Sequence, residues 1–217
     1  TTTTSTVGYT LNGSGGVIVA TGGTDTTTNL SYTGVLAAPA GATVVTPLTT
    51  LLAANSSLSA ADLKSALGLT VDPLTFNPYA TGVNTADALI AEGAAAQVNT
   101  ILTNVAVSVN GASAGAVSLA DSVSAVATKL AAQVVDQAAA LKANPTAGTL
   151  NLTSDTVLNT LVTNVKTAVQ SKVTLSDADF STALTTTKAT NTTISNVVST
   201  KGSISTISST LKTAQGN

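Results

Sequence analysis

Residues 42–82 read ATVVTPLTTLLAANSSLSAADLKSALGLTVDPLTFNPYATG, and the character of the chain changes within them. Before this segment lie threonine, glycine and short runs with β-strand spacing, and after it come long alanine, valine and leucine segments with helical spacing. The segment contains three of the five prolines, together with Phe76 and Tyr79, which we expect to close one end of the core. We interpret it as a hinge that joins a small β part to a helical body.

The pattern predicts an α+β fold in which a small N-terminal antiparallel β part precedes an antiparallel α-helical bundle. We divide the chain into a strand-rich part at residues 1–46, a hinge with short helices at 47–83 and the helical bundle at 84–217. A chain of 217 residues is long enough for one domain with a small appendage.

Four short strands are predicted in the N-terminal part, at residues 7–11, 17–20, 30–36 and 42–45. The glycine-rich turn between the first two favours a hairpin. So few strands leave two alternatives open. The sheet is either complete within one chain and packed on the helices, or it has an edge to which another subunit adds a strand.

Helix signals begin in the hinge. Thr46 is expected to cap a helix with Pro47 at its first position, and Ser59 starts a second short helix that ends at Gly68. Gly93 is either a weak point of the next helix or a place where another helix approaches closely. Four longer amphipathic segments are predicted near residues 84–111, 118–143, 154–172 and 176–213, the last with a break near 190 or 202.

The composition excludes several classes of protein. Charged residues make up 8% of the chain, against about 25% in an ordinary soluble domain. There is no cysteine, which excludes disulfides and thiol chemistry. All 8 basic residues are lysines without a basic stripe, which argues against nucleic-acid binding. Polar residues interrupt every apolar run before about 18 positions, which argues against a membrane span.

No residue pattern indicates catalysis. The chain has no histidine and no cysteine, the commonest general base and the strongest nucleophile. Adjacent serine and lysine residues point in different directions on a helix, so they form no dyad. Asp177 and Asp179 stand where helix-capping residues usually stand. We therefore expect no enzyme and assign no catalytic, cofactor-binding or metal-binding residue.

Calcium was weighed separately. Asp72, Asn77 and Asn84 carry oxygens that calcium prefers, but they do not follow the spacing of a calcium loop. Each residue type is equally favoured in turns, and we prefer that interpretation.

The segments VVTPLTTLL, ALGL and VDPLTFNPYA, followed by an alanine-rich helix, resemble a β-to-helix module of very large secreted bacterial surface proteins. Those proteins carry cadherin-like or immunoglobulin-like repeats and often calcium-binding repeats of the RTX type. The resemblance covers roughly residues 34–109 and implies an extracellular structural or adhesive role without catalytic residues. This chain lacks the glycine- and aspartate-rich nonapeptides that bind calcium in that family.

A net charge of −2 on a surface of threonine, serine and asparagine favours packing against copies of the same chain over a dispersed monomer. We expect a structural subunit of an extracellular bacterial filament or surface layer that assembles through its N-terminal β segment. The alternative is an adhesive or spacer module of a giant secreted surface protein. The predicted assembly residues are Val7, Tyr9, Leu11, Val17, Ile18 and Val19.

The expected location is extracellular or at the cell surface. The chain does not begin with methionine, so we expect either a mature form after removal of a leader or a part of a larger secreted chain. Sequons for N-glycosylation occur at Asn12, Asn29, Asn55, Asn151 and Asn191. Several of them arise by chance in so threonine-rich a chain, and any of them could carry surface glycans.

Overall fold

The computed structural model describes residues 16–25, 30–32 and 34–215, and it confirms the α+β fold. Four short strands precede a bundle of helices. The strands are β1 Ile18–Thr21, β2 Thr24–Asp25, β3 Leu30–Ser31 and β4 Val35–Ala38. The helices are α1 Pro47–Ala54, α2 Ala60–Leu67, α3 Thr85–Ala112, α4 Leu119–Ala143, α5 Asp155–Val169, α6 Ser181–Ser199 and α7 Ile204–Gln215, with a 3₁₀ turn at Ala178–Phe180.

The described strands form two nested antiparallel ribbons. β1 pairs with β4, in the register Val19 opposite Ala37, and β2 pairs with β3 between them. The predicted strand at 7–11 lies outside the described residues. The single strand predicted at 30–36 is divided in two, because a side chain at Gly34 would meet the ring of Tyr32 at 2.5 Å.

The strand predicted at residues 42–45 is wrong. Ala42 N–H donates to Pro39 O in a turn at Gly41, whose φ of 87° is the left-handed conformation that glycine favours. Thr43 N–H then donates to Leu74 O, which ties this segment to the hinge instead of to a strand. The high β propensity of valine and threonine is overridden here by the turn before the segment and the helix start after it.

Both short helices of the hinge begin as predicted. Thr46 caps α1 in a reciprocal capping box with Thr49, and Pro47 stands at the first helical position. Ser59 caps α2 by accepting from Asp62 N–H at 3.0 Å. Gly68 ends α2 with a φ of 68°.

α3 is the central element of the bundle, in contact with α1, α4, α6, α7 and the 3₁₀ turn. Its apolar positions recur on more than one face, so it is surrounded instead of lying on a surface. The main core lies between α1, α2, α4, α5 and α3. Its largest fully buried side chain is Phe180, on the 3₁₀ turn that packs against α3.

The expectation that Phe76 and Tyr79 close one end of the core is not met. Tyr79 is 50% exposed. Phe76 is half-buried and lines a small apolar crevice with Pro73 and Pro78. Two prolines close to these aromatic residues hold the backbone in extended turns, which keeps the rings at the surface.

A second, smaller apolar cluster joins α7 and the end of α6 to the first half of α3. It contains Leu89, Ala96, Ile194, Ile207 and Leu211. Gly93 lies at this junction, where an added Cβ would collide with the Cγ2 atom of Val198. The close-approach interpretation of Gly93 is therefore correct.

The break between α6 and α7 falls near Gly202, one of the two predicted positions. Gly202 N–H donates to Val197 O at 2.8 Å, and Lys201 before it has a φ of 54°. A Cβ at Gly202 would lie 2.8 Å from Val197 Cγ1, so the chain passes too close to α6 for a larger residue.

Polar side chains fix the position of α6 on α3. Gln97 Nε2 donates to Asn191 O at 2.9 Å, and Asn104 Nδ2 donates to Thr187 Oγ1 at 3.0 Å. Asn191 is fully buried, and its Nδ2 also donates to Leu152 O at 3.0 Å in the loop before α5. Partners this specific can be satisfied in one register only, so they select a single packing of α6.

Half of the lysines cross-link different elements. The ion pairs are Lys142–Asp62, Lys166–Asp177, Lys172–Asp121 and Lys188–Asp155. Each is at the surface and contributes little alone, at most about 1 kcal/mol. No helix within the described residues is long and apolar enough to cross a membrane.

Replacing Gly93 with alanine is expected to lower the free energy of unfolding by about 1–3 kcal/mol, because the new methyl group overpacks the second cluster. The matched control is Gly111→Ala in the same helix, where a Cβ meets nothing within 4 Å. That variant should unfold within about 1 kcal/mol of the parent, towards higher stability. Urea denaturation measures both, and equal effects of the two substitutions would contradict the close approach.

The Lys142–Asp62 pair predicts a dependence of stability on pH. The hydrogen bond from Lys142 lowers the pKa of Asp62 below its ordinary value, with a further contribution from Ser59. Because the folded pKa is the lower one, the stabilisation is present above the unfolded pKa of about 3.9 and is lost as pH falls through the folded pKa. Lys142→Met should therefore destabilise by up to about 1 kcal/mol at pH 7 and have no effect at pH 2. The control is Lys142→Met on an Asp62→Asn background, where the loss at pH 7 should vanish.

Candidate assembly surface

The N-terminal ribbon is held to the bundle by the first turn of α1. Thr49 and Thr50 lie in that turn and are 0% and 5% exposed. Thr49 Oγ1 lies 2.9 Å from Ala37 O, and Ala37 N–H donates to Thr50 Oγ1 at 2.9 Å. Both main-chain groups of Ala37 in β4 are thus bonded by threonine hydroxyls.

The two hydroxyls also complete the start of the helix. Thr49 Oγ1 accepts from Thr46 N–H at 2.8 Å, and Thr50 Oγ1 lies 2.9 Å from Thr46 O. A hydroxyl has one proton and two lone pairs. Thr49 can therefore donate to Ala37 while accepting from Thr46, and Thr50 can accept from Ala37 while donating to Thr46. Every strong donor in this turn has a partner.

This arrangement decides which way β1 faces. In an antiparallel pair, opposite residues alternate between those that exchange hydrogen bonds and those whose main-chain groups point away from each other. Ala37 directs both of its groups to α1, so Val19 opposite it directs its N–H and C=O away from β4. One edge of the ribbon is therefore sealed by α1, and the other edge carries the main chain of Val19.

The side chains of β1 divide between two faces. Ile18 and Ala20 are half-buried and face the body of the protein. Val17 and Val19 are 59% and 60% exposed, which makes them the two most exposed large apolar side chains in the described structure. Three predicted assembly residues, Val17, Ile18 and Val19, thus lie together on or beside β1. Val7, Tyr9 and Leu11 lie outside the described residues.

The surroundings of this edge are almost uncharged. Asp25 is the only charged side chain before Asp62. Natural sheet edges are usually protected against pairing by lysine, proline or a bulge. β1 contains none of these residues, and no described residue bonds to the main chain of Val19. The edge has the properties of a site for strand addition.

The residues weighed for calcium and for catalysis make local bonds. Asp72, Asn77 and Asn84 each accept from main-chain N–H groups two or three residues further on, as turn and cap residues do. Asp179 accepts from Ser176 N–H and from its hydroxyl, and these bonds lower the pKa of Asp179. Within the described ranges, no three acidic side chains come together in a group that could hold a metal ion.

A second surface feature is an open groove of about 500 Å³ between the hinge and α7. The half-exposed ring of Tyr79 lies on one side, and Ser205, Ser208, Ser209 and Lys212 line the other. An aromatic face opposite several hydroxyl groups is an arrangement that suits a polar ligand with apolar faces.

No protein-family model, curated protein or solved structure matches this chain. The assignment of a functional surface therefore depends on geometry. Sequence analysis missed Thr49 and Thr50, although both are polar residues inside a short apolar helix directly after its cap. That placement was the available signal, since a buried polar side chain requires a partner.

Removal of either hydroxyl is expected to loosen β4. Thr49→Val and Thr50→Val should each lower the free energy of unfolding by about 1–3 kcal/mol, because a buried group of Ala37 loses its partner. Thr50→Val should also speed hydrogen exchange at the Ala37 amide, whereas Thr49→Val leaves the acceptor of that amide in place. The control is Thr163→Val on the exposed surface of α5, with an expected change of less than about 0.5 kcal/mol. Unchanged exchange at Ala37 in Thr50→Val would contradict the assigned bond.

Proposed function

We propose that this chain is a structural subunit of an extracellular bacterial filament or surface layer, in which copies join by adding a strand to the outer edge of β1. The observation that carries the proposal is the exposed, uncharged edge at Val19, opposite an edge that α1 has sealed. Main-chain hydrogen bonds supply the affinity in such pairing, and alternating side chains supply the register.

The partner strand we propose is residues 7–11 of another copy. Val7, Tyr9 and Leu11 alternate with Gly8 and Thr10, which is the pattern of a strand with one apolar face. Val17 and Val19 offer an exposed apolar face for that strand to cover. Aromatic and β-branched side chains are favourable cross-strand neighbours, at roughly 0.2–1 kcal/mol for each pair.

The attachment of β4 to α1 suits a subunit that transmits load. A strand bonded to β1 is connected through the β1–β4 ladder to Ala37, and through Thr49 and Thr50 to the first turn of α1. α1 itself packs on α3 and α4 in the main core. A pull on the assembly is thereby carried into the helical body.

The helical surface supports close contact between neighbours in a layer. Many exposed threonines donate their hydroxyl proton to the carbonyl four residues earlier, including Thr163, Thr167, Thr185, Thr193, Thr210 and Thr213. Such hydroxyls have fewer demands left on water, and the methyl group adds apolar contact area. Together with a net charge of −2, this surface repels copies of itself weakly.

The same proposal places the chain outside the cell, in agreement with the resemblance to modules of large secreted surface proteins. It assigns a structural role and no catalytic one, with copies of the same chain as the principal partners. It involves no nucleic acid and no bound cofactor.

A second candidate function is that of an adhesive module within a giant surface protein. The groove between Tyr79 and α7 favours it, because an aromatic ring and hydroxyl groups are suited to a surface glycan. Binding to a carbohydrate array by a chain that stays monomeric would support this function over the first.

Assembly is tested with substitutions at the edge. Val19→Pro removes the N–H that faces the free side, at a position where β4 does not need it, and Val19→Lys places a charge beside the incoming strand. Both are expected to raise the concentration needed for polymers at least tenfold, measured by sedimentation and negative-stain microscopy. The matched control is Val107→Lys, because Val107 on α3 is 52% exposed and lies away from the strands. Polymers of both Val19 variants at the parental concentration would overturn the proposal.

A mixing experiment separates pairing between copies from pairing within one chain. A chain lacking residues 1–15 retains the edge without the strand, and Val19→Pro retains the strand without the edge. Each alone should be monomeric, and their mixture should form a one-to-one complex. Absence of that complex, with polymers absent from the parent as well, would exclude strand exchange between copies.

A further inference from the structure

Three of the five sequons lie within the described residues, and their asparagines have different environments. Asn191 is 0% exposed on α6, and its Nδ2 donates to Leu152 O at 3.0 Å. Asn12 and Asn29 lie outside the described residues. An amide nitrogen that is buried and already donating cannot reach a transferase, so the sequon at Asn191 is closed in the folded protein.

Asn55 is partly accessible. It ends α1 as the C-terminal cap, with a half-buried side chain whose Oδ1 accepts from Ser57 N–H at 2.9 Å. Leu58 three residues later is 5% exposed and holds this turn against the core. The approach to Asn55 is therefore restricted on one side.

Asn151 is presented differently. It is exposed in the loop between α4 and α5, and its Oδ1 accepts from both Thr153 N–H at 2.9 Å and Thr153 Oγ1 at 2.7 Å. No described residue bonds to its Nδ2. The threonine of the sequon thus already contacts the asparagine amide, and the nitrogen of that amide is left free.

The loop around Asn151 is held in place on both sides. Leu152 is 4% exposed in the main core, and Leu150 N–H donates to Ala66 O at 2.8 Å. A sugar attached to Asn151 would project into solvent without displacing either neighbour. The site is therefore both accessible and compatible with the folded state.

We propose that Asn151 is an acceptor for an N-linked glycan, which is added from a polyprenyl-pyrophosphate-linked sugar donor. In this transfer Asn151 Nδ2 forms a bond to C1 of the first sugar as the bond from C1 to the pyrophosphate oxygen breaks. The lipid pyrophosphate leaves, and one amide proton passes to a base of the transferase. The inference rests on the proposed extracellular location, where such transfer takes place.

The acceptor reaction can be tested on the folded full chain. The protein, with Asn12 and Asn29 replaced by glutamine, is incubated with a purified single-subunit transferase that recognises Asn-x-Ser/Thr and with its lipid-linked donor. Tryptic peptide mapping then gives the occupancy of each site. We expect occupancy of Asn151 at least tenfold above that of Asn191, with Asn55 between them.

Two variants and two peptides serve as controls. Asn151→Gln should abolish the modification of peptide 143–166, and Thr153→Val should do the same by removing the hydroxyl. Synthetic peptides 147–157 and 187–197 should be modified to similar extents, because neither is folded. Failure of the folded chain to accept sugar at Asn151, or equal occupancy of Asn151 and Asn191 in the folded chain, would overturn the inference.

The native protein provides the decisive measurement. Peptide 143–166 of the chain isolated from its own cell surface should carry added sugar mass, and an unmodified Asn151 there would also overturn the inference. The result is separable from the proposed assembly, because the in vitro acceptor reaction requires no polymer. Asn151→Gln should polymerise like the parent, since Asn151 lies in the loop between α4 and α5, away from β1.

Discussion

The first turn of α1 is the constraint on which the remaining architecture depends. Thr46 starts the helix, and Thr49 and Thr50 pass two buried hydroxyls to the main chain of Ala37. The cap of a helix and the edge of a strand are thus satisfied by the same side chains. Without those bonds, a ribbon of four residues per strand would be only marginally stable, since isolated hairpins are. The bundle supplies the stability that the ribbon lacks.

Much of the fold could be predicted from local signals. Thr46 and Pro47, Ser59, Gly68 and the break at Gly202 are caps and breakers whose chemistry acts over a few residues. The predictions that failed depend on contacts distant in sequence. Residues 42–45 have strand-like composition, but the bond from Thr43 to Leu74 engages them elsewhere. Phe180 is buried and Tyr79 is not, because the 3₁₀ turn brings Phe180 against α3, and no local pattern encodes that contact.

The candidate surface was only partly predictable for the same reason. Alternation in residues 17–20 indicates a strand, but it does not show that its partner is β4, 17 or more residues away. The direction of the free edge follows from the bonds of Ala37, and those depend on where α1 lies. Val17 and Val19 could therefore be nominated from sequence, whereas Thr49 and Thr50 could be recognised only when the strand and the helix were placed together.

The asymmetry of the ribbon has a consequence for any assembly built on it. One edge is sealed by α1 and the other is free, so each copy offers one acceptor site, and one N-terminal segment offers one donor strand. A contact between two different surfaces of identical subunits is heterologous, and it produces rings when the rotation closes and open filaments when it does not. A symmetric dimer through β1 would instead use both free edges at once and stop growth. Propagation therefore requires the donor to be a segment other than β1 itself, which is the role that the uncharged, alternating residues 7–11 are suited to perform.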